Sequence, residues 1–167
     1  MDELKVFILD DNLSFVNTLK KVLLSNGFEV CACFNVSQAL QELKTNYDFY
    51  LLDVILPDGN GIELCSYIRT FSNNPIIMIS SSTEEYNIIN SLSLGADNYI
   101  EKPFRMNVLI AKMEAALRRC GKLNNFVKFK DIILDFQNQT FQHNEFKVDL
   151  TKTEISILNE LFKCYPN

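Results

Sequence analysis

The chain has 167 residues, 47% hydrophobic and 22% charged, with a formal net charge of −5, enough for one domain of ordinary size and part of a second. No apolar run approaches the ~20 residues of a membrane-spanning helix, and Met1-Asp2-Glu3 carries the wrong charge for a signal peptide, so a soluble cytoplasmic protein with no membrane role is expected. The five cysteines (31, 33, 65, 120 and 164) are odd in number and include no Cys-x-x-Cys, which argues against a disulfide framework or a zinc site.

From Leu4 onward, apolar runs and amphipathic stretches alternate five times. The first strand, residues 4–9, runs into the acidic pair Asp10-Asp11, and a helix over 13–25 is closed by Asn26-Gly27. A second strand at 28–33 puts Cys31 and Cys33 on one face, where packing is the simplest role, and a helix over 36–45 follows. The third strand, 49–52, ends in a lone acid, Asp53, and the Pro57-Asp58-Gly59-Asn60-Gly61 loop leads into a helix over 61–71. Asn73-Asn74-Pro75 precedes a fourth strand at 76–79 and a helix at 84–94; a fifth strand at 98–101 and a helix at 104–120 complete the series. The near-continuous apolar character of the first, third and fourth strands fits a parallel sheet covered on both faces, built as five (βα) units. In such a sheet Asp10, Asp11 and Asp53 all emerge at the carboxyl edge, where open α/β sheets place their sites.

After Gly121 the period changes. Short alternating segments at 126–129, 132–136, 140–142 and 146–150 read as an antiparallel meander. Thr151-Lys-Thr-Glu154 then forms a capping box ahead of a final helix with Ile155, Leu158, Leu161 and Phe162 on one stripe. Residues 1–120 hold ten Lys/Arg against fifteen Asp/Glu, and residues 121–167 hold six of each. Neither part has the basic excess of a nucleic-acid surface.

Three clustered carboxylates repel, and a hard divalent cation removes the conflict. Mg²⁺ prefers oxygen ligands and commonly bridges one or two carboxylates to a phosphate. Asp53 is then placed to attack phosphorus and form an acyl phosphate, with Lys102 supplying an ammonium for the transferring group. A flavin or nucleotide binder would need glycines or hydroxyls after the first strand to cradle phosphate, where this chain has Asp10-Asp11-Asn12. An aspartate-nucleophile phosphatase would carry an Asp-x-Asp loop, whereas these acids are adjacent and the third is distant.

These motifs resemble those of two-component response regulators of the OmpR/PhoB type. The resemblance covers a receiver at about residues 3–120. It is carried by Ile8-Leu9-Asp10-Asp11-Asn12, by Asp53-Val-Ile-Leu-Pro57-Asp58-x-x-Gly61, by Pro75-Ile-Ile-Met-Ile-Ser80-Ser81, and by Gly95-Ala-Asp-Asn-Tyr99-Ile-Glu-Lys102-Pro103-Phe104. It implies a flavodoxin-like fold with strand order 2-1-3-4-5. It also implies Mg²⁺ held by Asp10, Asp11, Asp53 and the backbone carbonyl of Ile55, and phosphorylation of Asp53 by a sensor histidine kinase or a small phosphodonor. Ser80 and Tyr99 would be the switch pair, Lys102 would pair with the phosphate, and Lys102-Pro103 would be cis. Ile55 and Ser82 flank the site and bear on the lifetime of the acyl phosphate. The protein would not be a turnover enzyme.

The resemblance divides the chain into a receiver at 1–120, a linker at 121–125 and, at 126–167, the opening strands and first helix of a winged-helix domain whose recognition helix would follow Asn167. DNA binding is expected only if the chain continues beyond that point. The alternatives are a shortened regulator acting by protein contact and a phosphate-independent pseudo-receiver. The family pairs through its fourth helix, fifth strand and fifth helix. Asp97, Arg118 and Arg119 fit that homodimer face, with weakened charge pairing because residues 84–94 contain no Lys or Arg.

Overall fold

The computed structural model describes residues 4–81, 84–123, 126–136 and 138–164, and Ser82 and the Phe162 side chain fall outside them. Two compact units result, one up to Lys122 and one from Leu123.

The first unit is a five-stranded parallel sheet of β1 (Leu4–Leu9), β2 (Phe28–Cys33), β3 (Phe49–Asp53), β6 (Ile76–Ser80) and β7 (Asn98–Glu101) in the order β2-β1-β3-β6-β7. This is the expected 2-1-3-4-5 order. The labels shift because a small antiparallel hairpin, β4 (Ile55–Leu56) and β5 (Gly59–Asn60), forms where the sequence suggested a loop. Strand alternation sends one set of side chains to each face. Phe7, Leu9, Cys33, Tyr50, Leu52, Ile76 and Met78 pack on one side with Ala39 of α2 (Val36–Glu42) and with Ile62, Leu64, Cys65 and Ile68 of α3 (Gly61–Arg69). α4 (Glu85–Ser93) lies against β7 and α3. α1 (Leu13–Ser25) and α5 (Met106–Arg119) pack together and bury Val16, Leu19, Leu23, Leu109, Met113, Ala116 and Leu117. Each fully buried Leu, Ile or Phe here stabilises the fold by about 1.5–3 kcal/mol relative to exposure. Burial pushes the Cys33 thiol up to about 12, with Cys31 and Glu42 adding to the shift, so Cys33 is a packed side chain at neutral pH.

Two helices start or stop differently from their sequence pattern. α2 ends at Glu42 rather than reaching residue 45, and its first turn is held from outside: Val36 and Ser37 donate their amides to Asp58 at 2.7 and 3.0 Å. α5 begins at Met106, with extended Arg105 at its N-cap, rather than at residue 104, and the Lys102-Pro103 bond is cis. Among the described residues no helix is long and apolar enough to cross a membrane.

The second unit is a meander, β11-β10-β9-β8, of β8 (Phe126–Phe129), β9 (Ile132–Asp135), β10 (Thr140–His143) and β11 (Phe146–Asp149). Two-residue turns join β8 to β9 and β10 to β11, with Lys130 and Asn144 at φ 51° and 55°, the left-handed conformation such hairpins need. α6 (Lys152–Cys164) follows, and its capping box forms as the sequence suggests. The Thr151 amide donates to Glu154 Oε2 at 2.8 Å, and the Glu154 amide donates to Thr151 Oγ1 at 3.3 Å.

Candidate functional site

Sheet register explains why acids far apart in sequence meet. Leu9 lies beside Leu52, so the next residues, Asp10 and Asp53, leave the sheet side by side. Ser80 ends β6 beside Glu101 of β7, which delivers Lys102 to the same edge. One carboxylate oxygen from each of Asp10, Asp11 and Asp53 lies within 4.8 Å of the others. Lys102 Nζ donates to Asp10 Oδ2 at 2.5 Å and to Asp53 Oδ2 at 2.7 Å. Main-chain amides take the opposite oxygens: Asn12 donates to Asp10 Oδ1 at 2.9 Å, and Ile55 donates to Asp53 Oδ1 at 3.2 Å. Both Asp53 oxygens are therefore oriented before any ligand arrives.

Asp10 and Asp53 are only 2% and 6% exposed, whereas Asp11 faces solvent. Burial pushes the Asp10 carboxyl above its ordinary value; the bonds from Lys102 and Asn12 and the lysine charge oppose this without cancelling it, and the Asp53 charge adds to it. Burial pulls the Lys102 ammonium down, but its bonds to Asp10 and Asp53 and their charges outweigh that, leaving it above its ordinary value. Three carboxylates face one ammonium, so the edge keeps an excess of negative charge with oxygen donors only. That donor set suits a hard cation and not a soft one.

The remaining site residues surround this core. Ser80 is fully buried, and its carbonyl accepts from the Lys102 amide at 2.8 Å. Tyr99 packs against the α2–α3 side of the core, and its hydroxyl hydrogen-bonds with Ser80; burial raises the phenol. Ile55 directs its amide to Asp53 while the residue as a whole is 58% exposed. Gly61 closes the loop behind the acid: its amide donates to the Val54 carbonyl at 2.9 Å, and a Cβ there would lie 1.8 Å from the Asp53 carbonyl oxygen. Gly61→Ala is expected to destabilise the protein by about 3 kcal/mol, read as a lower urea midpoint, because backbone and not a flexible side chain would have to move.

Asp97 is engaged within its own chain. Its Oδ2 accepts from Arg69 at 2.7 Å and from the Ile76 amide at 2.8 Å. Arg118 pairs with Glu114 one turn earlier at 3.6 Å, and Arg119 is exposed at the end of α5. Sequence reasoning missed Arg69, which also donates to the carbonyls of Gly95, Ser72 and Asn74 and so ties the end of α3 to the turns before β6 and β7. It also missed Phe15, whose ring lies beside Lys102. In sequence Phe15 is one more apolar position of an amphipathic helix.

Residues 6–114 match the family model described as the response regulator receiver domain. The transcriptional regulatory protein CpxR homolog of Haemophilus influenzae is 36% identical, over 98% of this chain and 74% of that protein. The sensory transduction protein BceR of Bacillus subtilis is 33% identical, over 95% and 71% respectively. Among solved structures, a two-component response regulator from Clostridium difficile superimposes with a TM-score of 0.69 at 34% identity, covering 71% of this chain and 98% of that one. A CheY-like receiver domain protein from Methanospirillum hungatei gives 0.70 at 27% identity, over 72% and 98%. The chain belongs to the response regulators of two-component systems, of the OmpR/PhoB type.

Proposed function

We propose that the chain receives a phosphoryl group on Asp53 from a sensor histidine kinase or a small phosphodonor, and that this modification switches its association and output. The observation that carries this reading is the Asp53 carboxylate itself: buried at the sheet edge, oriented by the Ile55 amide and Lys102, and within reach of two further acids. An Asp53 oxygen attacks phosphorus, the bond from phosphorus to the donor nitrogen or acyl oxygen breaks with its electron pair leaving on the donor, and an aspartyl phosphate remains. Asp10, Asp11 and Asp53, with the carbonyl of Ile55, would hold Mg²⁺, which when bound neutralises phosphoryl oxygens. Lys102 would offset charge on the same group and the Ser80 hydroxyl would donate to it, a reading supported by the burial of Ser80 at the end of β6 and by its hydrogen bond with Tyr99. The protein is modified rather than turning over a substrate.

The output follows from the relatives' names, which describe transcriptional and DNA-binding regulators. We assign the unit from Leu123 to the opening part of a winged-helix effector in a cytoplasmic regulator; DNA contact would need a recognition helix, which belongs to this protein only if its chain continues beyond Asn167. Homodimerisation through α4, β7 and α5 accords with the exposed Tyr86, Ile89 and Leu92 on α4 and Val108 on α5.

Incubation with acetyl phosphate and Mg²⁺ tests the phosphoryl-transfer reading. The intact mass is expected to rise by one phosphoryl group, and Asp53→Asn and chelation by EDTA are each expected to abolish the rise. An unchanged wild-type mass, or a modified Asp53→Asn protein, would contradict it.

A further inference from the structure

Lys102 is bounded by more than carboxylates. Its Nζ lies 4.6 Å from the centroid of the Phe15 ring, and that ring stands edge-on to Phe104, with centroids 5.9 Å apart and planes at 86°. Phe15 occupies the first turn of α1, where its own amide donates to the N-cap Asn12 side chain at 3.0 Å. The backbone that carries the ring is thus held by a helix cap, and the ring itself packs on the residue that follows the cis proline.

The contacts around the ammonium differ in what else they must do. Asp53 would carry the phosphoryl group and Asp10 would hold a divalent cation, so the Oδ2 atoms that accept from Lys102 would be shared with those ligands once the site is loaded. An aromatic face cannot take up a metal, a phosphoryl group or a proton. We propose that Phe15, braced by Phe104, is the positioning residue that keeps the Lys102 ammonium at the phosphoryl site when its carboxylate partners are engaged elsewhere. The attraction is that of a cation for the negative face of a ring. Its benefit is pre-organisation: a four-carbon side chain 21% exposed has many rotamers, and a ring beside its ammonium removes most of them before the reaction begins. This rests on Asp53 being the phosphoacceptor.

The test compares wild type, Phe15→Leu and a series of site-specifically fluorinated phenylalanines at position 15. Fluorination keeps the ring's shape while removing its negative face. With acetyl phosphate and Mg²⁺ the phosphorylation rate constant is expected to fall about two- to fivefold in Phe15→Leu, with graded losses along the fluorinated series. A second readout needs no reaction. In NMR spectra the Lys102 ε-methylene protons are expected to be shifted upfield by the ring current in the metal-free protein, to keep that shift when Mg²⁺ is added, and to lose it in Phe15→Leu. Rates that ignore both the leucine and the fluorine substitutions, or a shift that is absent or vanishes with Mg²⁺, would overturn the proposal while leaving Asp53 as phosphoacceptor. A wild-type protein that is not phosphorylated on Asp53 would remove the reading beneath it and the proposal together.

Discussion

Lys102→Ala is expected to slow phosphoryl transfer to Asp53 by about 10²-fold, the usual cost of removing one preorganised charge-stabilising donor from a water-poor site. The same substitution leaves Asp10 and Asp53 facing each other at the sheet edge without their shared ammonium, bonded now at 2.5 and 2.7 Å. Loss of about 3 kcal/mol of stability is expected at neutral pH, the low end for breaking a buried pair because the lysine keeps some solvent. The pH dependence distinguishes this from simple loss of packing. In the folded wild type the Lys102 pKa is raised above its ordinary 10.5, so its contribution is fully present below that value and lost as the pH climbs through the raised one. The variant lacks this alkaline loss. It should recover stability as the pH falls and Asp10, which burial holds above its ordinary value, takes up its proton. Urea midpoints of both proteins across the pH range measure the difference, and parallel profiles would contradict the account.

Asp11→Asn should separate metal binding from folding. Asp11 is the exposed member of the acidic group, so the substitution is expected to change stability without Mg²⁺ by no more than about 0.5 kcal/mol. In wild type, Mg²⁺ at a hundred times its dissociation constant adds about 2.7 kcal/mol through mass action, if the unfolded chain binds none. Removing a ligand is expected to weaken affinity by about tenfold or more, and each tenfold takes about 1.4 kcal/mol from that gain. Thermal melts with and without Mg²⁺ read both quantities. An Mg²⁺ response unchanged in Asp11→Asn would place the cation elsewhere.

The parallel sheet and its edge were legible because the first, third and fourth strands are near-continuous apolar runs and chemically distinct residues stand at the strand ends: Asp10 after Leu9, Asp53 after Leu52, Lys102 after Glu101. Alternation and punctuation act locally, and parallel order then brings the strand ends together without further information. What escaped the sequence depends on contacts made across the fold. The β4–β5 hairpin is written in Pro57, Asp58, Gly59 and Asn60, which punctuate a loop and a two-residue strand equally well. α2 was expected to run to residue 45, but its boundaries follow from Asp58 holding its first turn across more than twenty residues of chain and from Leu43 capping it. Asp97 fits a dimer face in sequence, and nothing there indicates that Arg69 and the Ile76 amide also engage it. Phe15 was hidden for a related reason: aromatic residues at helical spacing signal core packing, and only the cis turn at Pro103 and the return of Lys102 reveal what this ring faces.

The most direct test of the central claim is to locate the phosphoryl group. After treatment with acetyl phosphate and Mg²⁺, borohydride converts an aspartyl phosphate to homoserine, which peptide sequencing by mass spectrometry can assign to a position. Homoserine at residue 53 and nowhere else is the predicted result. Homoserine at residue 10 or 11, or none after the phosphodonor and Mg²⁺ have been supplied, would contradict it.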